Sequence, residues 1–506
     1  MTTQNTQWSP QQEAIFAEFK KGRRHMVIEA RAGTGKTTTI KAALPLAPEA
    51  KKMYAVFNKR NALEAKEKIT DPKCQIFTLN SLGYRFVLQQ WNGVKPDDDV
   101  EFDRIKEVVG NGAEFKRFEK TPVRAIKEVV AFAKNTKPFA KMADLLAIAD
   151  FRGVEVDEGF EREGWTIELV CSAALKVLEL SKKRDAKNRI SFNDQVWLPV
   201  VMGWVRPWFE LVVVDEAQDM NAVQLMMARK ACKPTGRIVL VGDPRQAIYG
   251  FRGADVGGME RLKKELSAAV FPLTITYRCP KKVVEIAKKM VPDYEAAPAA
   301  PEGTVTTMLD SRLALEAKPG DAVVSRTNAP LMRHCLALLR KGTKAYIEGR
   351  DIGATLLGVH AKLPASDIKA YQMGLDAWAA GRIARVAAPP ESDAYKAAVQ
   401  TIEDQAETLK ALSEESATVQ EVEARLLDLF QDNNGGKAGF VTLSSVHRAK
   451  GLEWHRVFLV QESFKRANLE ATHASEEQNI AYTAVTRARH NLTWLLPDPQ
   501  NDKKNA

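Results

Sequence analysis

The sequence predicts an α/β fold with two parallel sheets, each interrupted by a mainly helical insertion. Two blocks of the chain, one near its start and one near its end, predict the two sheets. In both, short apolar runs end in polar turns and continue into helical segments, as in βα units. A further observation predicts the insertions: from about Lys95 to Pro199, and again from about Ala354 to Gly436, the apolar spacing becomes helical.

The same pattern gives the domain boundaries. Residues 1–95 and 197–272 are predicted to form the first α/β domain, with residues 96–196 as its helical insertion. Residues 273–353 and 437–497 are predicted to form the second domain, with residues 354–436 as its insertion and residues 498–506 as a tail. A chain of 506 residues has the length of roughly two to four domains.

Composition argues against several classes of protein. With 45% hydrophobic residues the chain can bury sizeable cores, yet no apolar run reaches the roughly 18 residues of a membrane span. The start, MTTQNTQWSP, lacks the basic and apolar segments of a secretion signal. We therefore expect a cytoplasmic protein, of a bacterium or of a viral host, with no membrane partner. Five cysteines without a C-x-x-C pair indicate reduced thiols rather than a zinc site or disulfides.

Charge is less decisive. The net charge of +10 fits a polyanionic partner, but solvated lysine faces give the same balance. The basic run Lys182–Arg189 likewise allows two interpretations, a solvated loop or an edge that contacts phosphates.

The stretch EARAGTGKTTT, Glu29 to Thr39, has the form of a phosphate-binding loop. It lies between an apolar strand-like run and a helical segment, the context that such a loop requires. Gly33 and Gly35 let successive N–H groups converge on an anion, and the following helix adds its positive end. Lys36 is placed to reach the β- and γ-phosphates and the Thr37 hydroxyl to hold Mg²⁺. The residues predicted to surround ATP here are Ala30, Arg31, Ala32, Gly33, Thr34, Gly35, Lys36, Thr37 and Thr38.

Two features weaken the loop when it is taken alone. The generic pattern begins with Gly, and Ala30 stands at that position. A chance Gly-Lys-Thr turn would also give the same letters.

Gln12 has two interpretations of equal weight. It falls three residues after Ser9, which is a plausible N-cap with Pro10 at the first helical position, so Gln12 completes a capping box. Its amide could instead recognise an adenine edge, because a carboxamide matches the donor and acceptor pair there.

An acidic motif follows a later apolar run. Leu211–Val214 reads as a strand that ends in Asp215 and Glu216. Asp215 is predicted to bind Mg²⁺, and Glu216 to polarise the attacking water as general base. The alternative is a strand that merely ends in acidic turn residues. With the phosphate loop upstream, both halves of a nucleoside-triphosphatase site are present.

The loop GDPRQAIYGFRGA after Val241 combines two kinds of side chain. Gln246 could sense the γ-phosphate or position water, as a catalytic residue. Tyr249, Phe251 and Arg252 offer flat faces and a cation, which suit a stacking platform for single-stranded nucleic acid. A small aromatic core is the alternative. His447, in a basic loop, is either a surface or core histidine or a nucleic-acid contact.

Eight motifs stand in one order between residues 8 and 490 and together resemble the UvrD/Rep-type superfamily-one DNA helicases. They are ARAGTGKT, VFNK, TLNSL, VVDEAQD, VGDPRQAIYGFRGA, LTITYRCP, SSVHRAKGLEW and AYTAVTRAR. The resemblance implies two RecA-like P-loop domains with ATP at their interface, and a helical subdomain inserted into each.

The resemblance also implies roles for single residues. Gln12 looks like the adenine-reading glutamine, with Gln11 adjacent, and Tyr277 like the aromatic residue that stacks on the base. Arg278 and Arg487 resemble the catalytic arginines that meet the γ-phosphate, Gln246 the glutamine that links this phosphate to DNA, and Glu453 the acid on the ribose. The residues similar to single-strand contacts are Tyr249, Phe251 and Arg252, with Asn58, Thr78 and His447 in support.

Some segments depart from the family pattern. AVFNKRN is shorter than the common TFTNKAA form, which argues against a DNA-stacking role for Phe57. The second insertion is much smaller than in the large bacterial members, so we expect its duplex contacts to be reduced. The chain ends soon after TRAR, which leaves no room for a fused nuclease domain.

The sequence therefore predicts an ATP-dependent DNA helicase or translocase that uses ATP and Mg²⁺ and moves 3′ to 5′ on single-stranded DNA. Its expected partners are single-stranded DNA, junctions of single and double strands, and replication or repair proteins. One alternative is a 5′-to-3′ or RNA-directed motor. Another is a nucleic-acid-binding scaffold that uses ATP only as a switch, which an intact Glu216, Arg278 and Arg487 argue against.

Overall fold

A computed structural model describes residues 8–112, 115, 121–156, 158–249, 257–386, 393–431, 439–464 and 471–498. The chain divides into two compact units. The first contains the residues up to Ala30 and Gly35–Leu273, and the second contains Arg31–Thr34 and the residues from Thr274 onward. The described part of the chain contains no helix that is both long and apolar enough to span a membrane.

The first unit is built on a parallel sheet of six strands in the order β3-β2-β6-β7-β1-β8. Its central strands are buried on both faces, which explains their nearly continuous apolar sequence. The strands are β1 Met26–Ala30, β2 Lys52–Val56, β3 Cys74–Thr78, β6 Phe209–Val214, β7 Cys232–Gly242 and β8 Ala269–Leu273, and a separate short pair is β4 Lys95–Pro96 with β5 Arg189–Ile190.

Several helices of this sheet domain begin at side chains that cap them. Ser9 forms a capping box with Gln12 at the start of the first helix, and Asn221 forms one with Gln224. The helices are α1 Pro10–Lys21, α2 Lys36–Ala43, α3 Lys59–Lys68, α4 Leu79–Gln90, α11 Ala222–Ala231 and α12 Gly258–Glu265.

The insertion of the first unit is helical, as the apolar spacing predicts. Its helices are α5 Asp99–Asn111, α6 Val123–Thr136, α7 Met142–Arg152, α8 Glu158–Arg162, α9 Ile167–Ser181 and α10 Asp194–Val201. The apolar faces of α5, α6, α7 and α9 join one hydrophobic core that continues onto one face of the sheet. Trp165 and Phe115 stack inside it at 5.6 Å between ring centroids.

The second unit contains a parallel sheet of seven strands in the order β11-β17-β16-β12-β15-β13-β14. The strands are β11 Thr304–Leu309, β12 Ala322–Ser325, β13 Ala345–Glu348, β14 Phe430–Gln431, β15 Val441–Ser445, β16 Trp454–Val460 and β17 Ala488–Leu496, and a separate pair is β9 Ile275–Thr276 with β10 Glu295–Ala296. Two parallel sheets with helical insertions confirm the α/β fold class.

Helices surround this second sheet and form its insertion. They are α13 Lys281–Lys288, α14 Leu313–Glu316, α15 Ala329–Arg340, α16 Arg350–His360, α17 Ile368–Ile383, α18 Asp393–Ser413, α19 Val419–Leu429, α20 Val446–Ala449 and α21 Ala471–Val485. Buried residues of α17, α18 and α19 share a core with β13 and β15. Asp404 of α18 also accepts hydrogen bonds from the backbone N–H groups of Asn328 and Ala329, and so caps α15.

Candidate active site

The phosphate loop turns from the buried end of β1 into α2. Ala30 is the last residue of β1 and is fully buried. Gly35 is the N-cap of α2 with φ of 78°, a left-handed conformation that favours glycine. Thr37 is half-buried and Thr38 is exposed in the first turn of α2. The loop therefore presents the N-terminus of a helix, where backbone N–H groups and the helix dipole attract phosphate.

The four residues Arg31–Thr34 belong to the second unit. The Arg31 guanidinium is paired with Asp293 at 2.7 Å, and the Thr34 hydroxyl donates to the Arg31 carbonyl. Gly33 has φ of 69°, and a Cβ at this position would lie 2.5 Å from the Cβ of Arg278. Only glycine fits this backbone conformation and this close approach.

Lys36 lies against the acidic motif. Its ammonium Nζ is 2.6 Å from Oε2 of Glu216. Burial opposes the charge of Lys36, but the carboxylates of Glu216, Asp215 and Asp243 outweigh it and raise the pKa of the ammonium group. The phosphate loop and the acidic motif, predicted separately from sequence, are thus in direct contact within the first unit.

Asp215 follows β6 directly and is fixed by three groups. Its N–H donates to the Ala55 carbonyl, Oδ1 accepts from the N–H of Glu216 at 2.9 Å, and Oδ2 accepts from the Tyr54 hydroxyl. Burial and the adjacent Glu216 carboxylate raise the pKa of Asp215 to about 6. Glu216 has φ of 49°, a left-handed conformation that is uncommon for a residue other than glycine.

A chain of hydrogen bonds leads from Glu216 to Gln246. The Gln218 amide donates to Oε2 of Glu216 at 2.7 Å and accepts from the N–H of Asp243 at 3.1 Å. The Gln246 amide in turn donates to Oδ2 of Asp243 at 2.7 Å. Asp243 is fully buried, and Gln218 is 2% exposed. Both sequence-predicted catalytic residues of this unit therefore belong to one buried polar network.

The donor set of the site fits Mg²⁺. A buried aspartate and a threonine hydroxyl supply hard oxygen donors. The described residues contain no cluster of three or more His, Cys, Asp or Glu side chains that could hold a metal alone.

Gln12 combines a capping role with a contact to the nucleotide loop. Its amide oxygen accepts from the Ser9 N–H, which completes the capping box. Its amide nitrogen donates to the Thr39 hydroxyl at 2.9 Å, and that hydroxyl donates to the carbonyl of Gly35. Gln12 is 4% exposed. The structure thus places this side chain beside the helix that follows the phosphate loop.

Four predicted nucleotide contacts lie together in the second unit. Tyr277 is 55% exposed, and its backbone N–H donates to the Gly33 carbonyl. Arg278 pairs through Nε with Glu453, and its Nη1 donates to the Thr486 carbonyl at 3.4 Å.

Arg487 is almost completely buried. Its guanidinium donates to the carbonyls of Thr483 at 2.8 Å and Leu452 at 3.0 Å, and to the Thr486 hydroxyl. Burial and the nearby Arg278 lower the pKa of Arg487 to about 10. In this conformation the guanidinium holds the end of α21 against the segment before β16.

Asn58 and Thr78, two of the predicted DNA contacts, are helix caps. The Asn58 side chain accepts from the Asn61 N–H and caps α3, and the Thr78 hydroxyl accepts from the Ser81 N–H and caps α4. Thr78 is the last residue of β3 and Asn58 lies two residues after β2, so both stand at the carboxyl-terminal edge of the parallel sheet, where ligands of such sheets bind.

Tyr249 stacks on Phe57, with ring centroids 6.2 Å apart and planes within 10°. Both rings are half-buried. The sequence argued against a stacking role for Phe57, but the structure places it beside a predicted contact. Phe251 and Arg252 lie outside the described residues. His447 is half-buried in α20 of the second unit.

The basic run Lys182–Arg189 makes contacts within the protein. Arg189 pairs with Asp103 at 2.7 Å and Asp185 at 3.1 Å, and Arg184 donates to the Asn92 carbonyl. Lys187 pairs with Asp103 and Lys182 with Glu179, so most of the basic side chains in this run have protein partners.

Sequence reasoning missed two polar residues that support the acids. Tyr54 lies inside an apolar strand, where its ring reads as core. Gln218 lies within the VVDEAQD motif, and its position two residues after Glu216 was the available signal.

Comparison with protein families gives two matches. The UvrD/REP helicase N-terminal domain matches residues 8–267, and the UvrD-like helicase C-terminal domain matches residues 388–496.

Curated proteins with similar sequences are named as DNA helicases. The chain is 24% identical to F-box DNA helicase protein 1 of Schizosaccharomyces pombe over 519 residues, which cover 92% of this chain and 55% of that protein. A segment is 29% identical to a probable DNA helicase II homolog of Rickettsia felis over 127 residues, 24% of this chain and 19% of that protein. Another is 32% identical to DNA helicase II of Escherichia coli K12 over 100 residues, 19% of this chain and 14% of that protein.

The chain thus spans about half the length of the first of these relatives, and the matched segments cover less than a fifth of the other two. The N-terminal family match includes the phosphate loop, the acidic motif and the Gln246 loop, whose side chains the structure brings together, and it covers about half of the chain. The chain belongs to the UvrD/Rep helicase family.

Proposed function

We propose that this chain is an ATP-dependent DNA helicase that moves along single-stranded DNA from 3′ to 5′. Family membership supports the reaction class, and the similar proteins are named as DNA helicases. The UvrD/Rep branch supports the polarity. The observation that carries the proposal is the contact between Lys36 Nζ and Glu216 Oε2 at 2.6 Å, because it joins a phosphate-binding cation to a general base.

In the proposed reaction Lys36 changes partner. When ATP occupies the loop, the ammonium group binds the β- and γ-phosphates, and Glu216 loses the hydrogen bond from Lys36 while it keeps the one from Gln218. The Glu216 carboxylate then accepts a hydrogen bond from the attacking water in place of the one from Lys36, and orients this water toward the γ-phosphate.

Asp215 and Thr37 are the residues that we propose to hold Mg²⁺. When bound, the ion neutralises charge on the phosphates and fixes their orientation. The hydrogen bonds of Asp215 to the Glu216 N–H and the Tyr54 hydroxyl hold the carboxylate in one orientation beforehand.

Gln246 is proposed to report on the γ-phosphate. Its amide reaches Glu216 through Asp243 and Gln218, so a movement of Gln246 alters the hydrogen bonding of the base. Gln246 also precedes Tyr249 by three residues in the loop that we propose contacts DNA. The loop would thus couple ATP hydrolysis to the binding of single-stranded DNA.

Arg278 and Arg487 are proposed to stabilise charge on the transferring phosphate. A guanidinium presents several N–H groups in a plane that matches phosphate oxygens. Arg278 would exchange its ion pair with Glu453 for the phosphate. Arg487 would have to give up hydrogen bonds to two backbone carbonyls, so we expect its engagement to require a rearrangement at the end of α21.

Unwinding of tailed duplexes tests the proposal. Duplexes with a 3′ or a 5′ single-stranded tail, made of DNA or of RNA, are compared with ATP and Mg²⁺, and Lys36→Ala serves as control. We expect unwinding of the 3′-tailed DNA and its loss in the variant, which should still bind single strands. Preference for the 5′ tail or for RNA would identify a different motor. Strand binding without ATP turnover would identify a switched scaffold.

A further inference from the structure

Tyr54 has an unusual partner for a tyrosine in the interior of a sheet. Its side chain is 1% exposed on β2, and its hydroxyl donates to Oδ2 of Asp215. A buried hydroxyl needs a hydrogen-bond partner, and a backbone carbonyl would satisfy it. Here the acceptor is the carboxylate that the proposed function assigns to the metal.

Strand β2 holds Asp215 at two points. The Asp215 N–H donates to the carbonyl of Ala55 at 2.8 Å, which fixes the backbone, and Tyr54 fixes the side chain. The two residues of β2 are adjacent, and β2 pairs in parallel with β6, which ends just before Asp215. The position of this carboxylate is therefore set by a neighbouring strand rather than by its own loop.

The two oxygens of Asp215 each receive one donor. Oδ1 accepts from the Glu216 N–H and Oδ2 from the Tyr54 hydroxyl, so rotation of the carboxylate about its Cβ–Cγ bond would break both bonds. Each oxygen retains a second lone pair. The carboxylate is thus held in one plane while it keeps the capacity to bind a cation.

We propose that Tyr54 is a positioning residue, which orients the Asp215 carboxylate for the divalent cation that accompanies the nucleotide. The proposal rests on the proposed function, because it takes Asp215 as a metal ligand. Groups that hydrogen-bond to metal ligands orient them, and their loss commonly weakens metal binding by about 10-fold to 100-fold. Tyr54 thus acts through Asp215 rather than by contacting the nucleotide itself.

The test measures cation binding directly. Mn²⁺ serves as a paramagnetic probe, and its binding to the full chain with saturating ADP is followed by the loss of the free-ion resonance signal. We expect Tyr54→Phe to raise the Kd for Mn²⁺ by about 10-fold or more. ADP affinity in the presence of a chelator should stay unchanged, because the phenylalanine ring keeps the packing of the strand.

Tyr84→Phe is the matched control. The Tyr84 hydroxyl of the same unit donates to the Val94 carbonyl at 2.6 Å, so this variant also loses one tyrosine hydrogen bond, away from the acidic motif. It should bind Mn²⁺ like the unmodified chain. Thermal melting of both variants checks that the fold is intact, and a Tyr54→Met variant gives a second measurement if Tyr54→Phe does not fold.

The Asp215→Asn variant distinguishes the positioning role of Tyr54 from the assignment of Asp215 as the metal ligand. If this variant loses Mn²⁺ binding and Tyr54→Phe does not weaken it, the role of Tyr54 is overturned and the proposed function stands. If Asp215→Asn binds Mn²⁺ normally, Asp215 is not the metal ligand and both assignments fail. A loss in Asp215→Asn with a partial loss in Tyr54→Phe supports the proposal.

Discussion

Among single residues, Gln218 offers the sharpest test of how the general base is held. It is buried and joins Oε2 of Glu216 to the N–H of Asp243. Glu216 itself has a left-handed backbone, so its side chain direction depends on its partners rather than on a regular element. When Lys36 turns to phosphate, Gln218 remains as a donor that orients the base.

Replacing Gln218 should therefore slow hydrolysis without weakening nucleotide binding. We expect Glu216→Gln to lower the kcat of DNA-stimulated ATP hydrolysis by about 10²-fold to 10⁴-fold, the usual contribution of a general base. Gln218→Met should lower kcat by about 10-fold to 100-fold, since a misplaced base loses part of this contribution. The KM for ATP should change little in either variant. Steady-state kinetics of both variants and of the double variant provide the measurement.

The double variant distinguishes positioning from an independent role. If Gln218 acts through Glu216, the double variant is no slower than Glu216→Gln alone, because residues that act as a unit are not additive. Fully additive losses would show that Gln218 contributes to hydrolysis by another route.

How far a residue could be predicted depended on whether its partners are close in sequence. The phosphate loop and Asp215–Glu216 have local patterns, and the structure brings them into contact. Tyr54 could not be singled out, because its acceptor lies 161 residues away and a tyrosine in an apolar strand reads as core. The expectation against a DNA-stacking role for Phe57 rested on the length of its segment. That length could not show that the Phe57 ring stacks on Tyr249, which is distant in the sequence.

At the scale of elements, the first insertion is organised around buried charges. Lys134 of α6 and Asp194 of α10 are completely buried and lie 2.6 Å apart. Arg104 of α5 also pairs with Asp194, at 2.7 Å, and Ser181 of α9 accepts from both cations. Burial alone would raise the pKa of Asp194, but Lys134 and Arg104 hold it below its usual value. This buried cluster, with the Asp194 carboxylate at its centre, thus connects α5, α6, α9 and α10.

Removing that carboxylate should loosen the insertion. Asp194→Asn leaves two buried cations with less countercharge, and breaking a buried pair commonly costs about 3–5 kcal/mol. We expect a lower midpoint of chemical unfolding and faster hydrogen exchange in α6, α9 and α10. Adding Lys134→Met should recover part of the loss, because Glu101 then faces one buried cation, Arg104, instead of two.

An exposed pair of the same insertion gives the control. Asp103 pairs with Arg189 and Lys187 at the surface, and Asp103→Asn should change stability little because solvent screens such pairs. Equal exchange rates in Asp194→Asn and the unmodified chain would mean that the buried cluster does not hold the helices together.

Elements were predictable where apolar spacing is strong. Central strands such as β6, FELVVV, and β12, AVVS, are near-continuous apolar runs, and their existence followed from the sequence. Strand β11, TVTTML, was missed because it is a half-exposed edge strand with few apolar residues. The motif AYTAVTRAR begins in α21, which ends at Val485, whereas its last residues, Ala488 and Arg489, lie in β17, where pairing with β16 decides the conformation.

For the whole molecule, the net charge of +10 is a property that no single motif explains. Part of the positive charge is already matched internally, as the contacts of Arg189 with two carboxylates illustrate. If the net positive charge attracts a polyanion such as DNA, the attraction is to its phosphates and is independent of base sequence. Binding of single-stranded DNA should then release condensed counterions.

The salt dependence of DNA affinity tests whether the net positive charge binds DNA phosphates. We expect the affinity for a labelled oligothymidylate, measured by fluorescence anisotropy without nucleotide, to fall linearly on a logarithmic plot against salt. The slope for single strands should be about −0.7 for each phosphate neutralised. Lys36→Ala should give the same slope, because Lys36 is proposed to bind nucleotide phosphates and not DNA. A flat plot would mean that stacking on rings such as Tyr249 dominates the grip, and a reduced slope in Lys36→Ala would place this lysine on the strand instead.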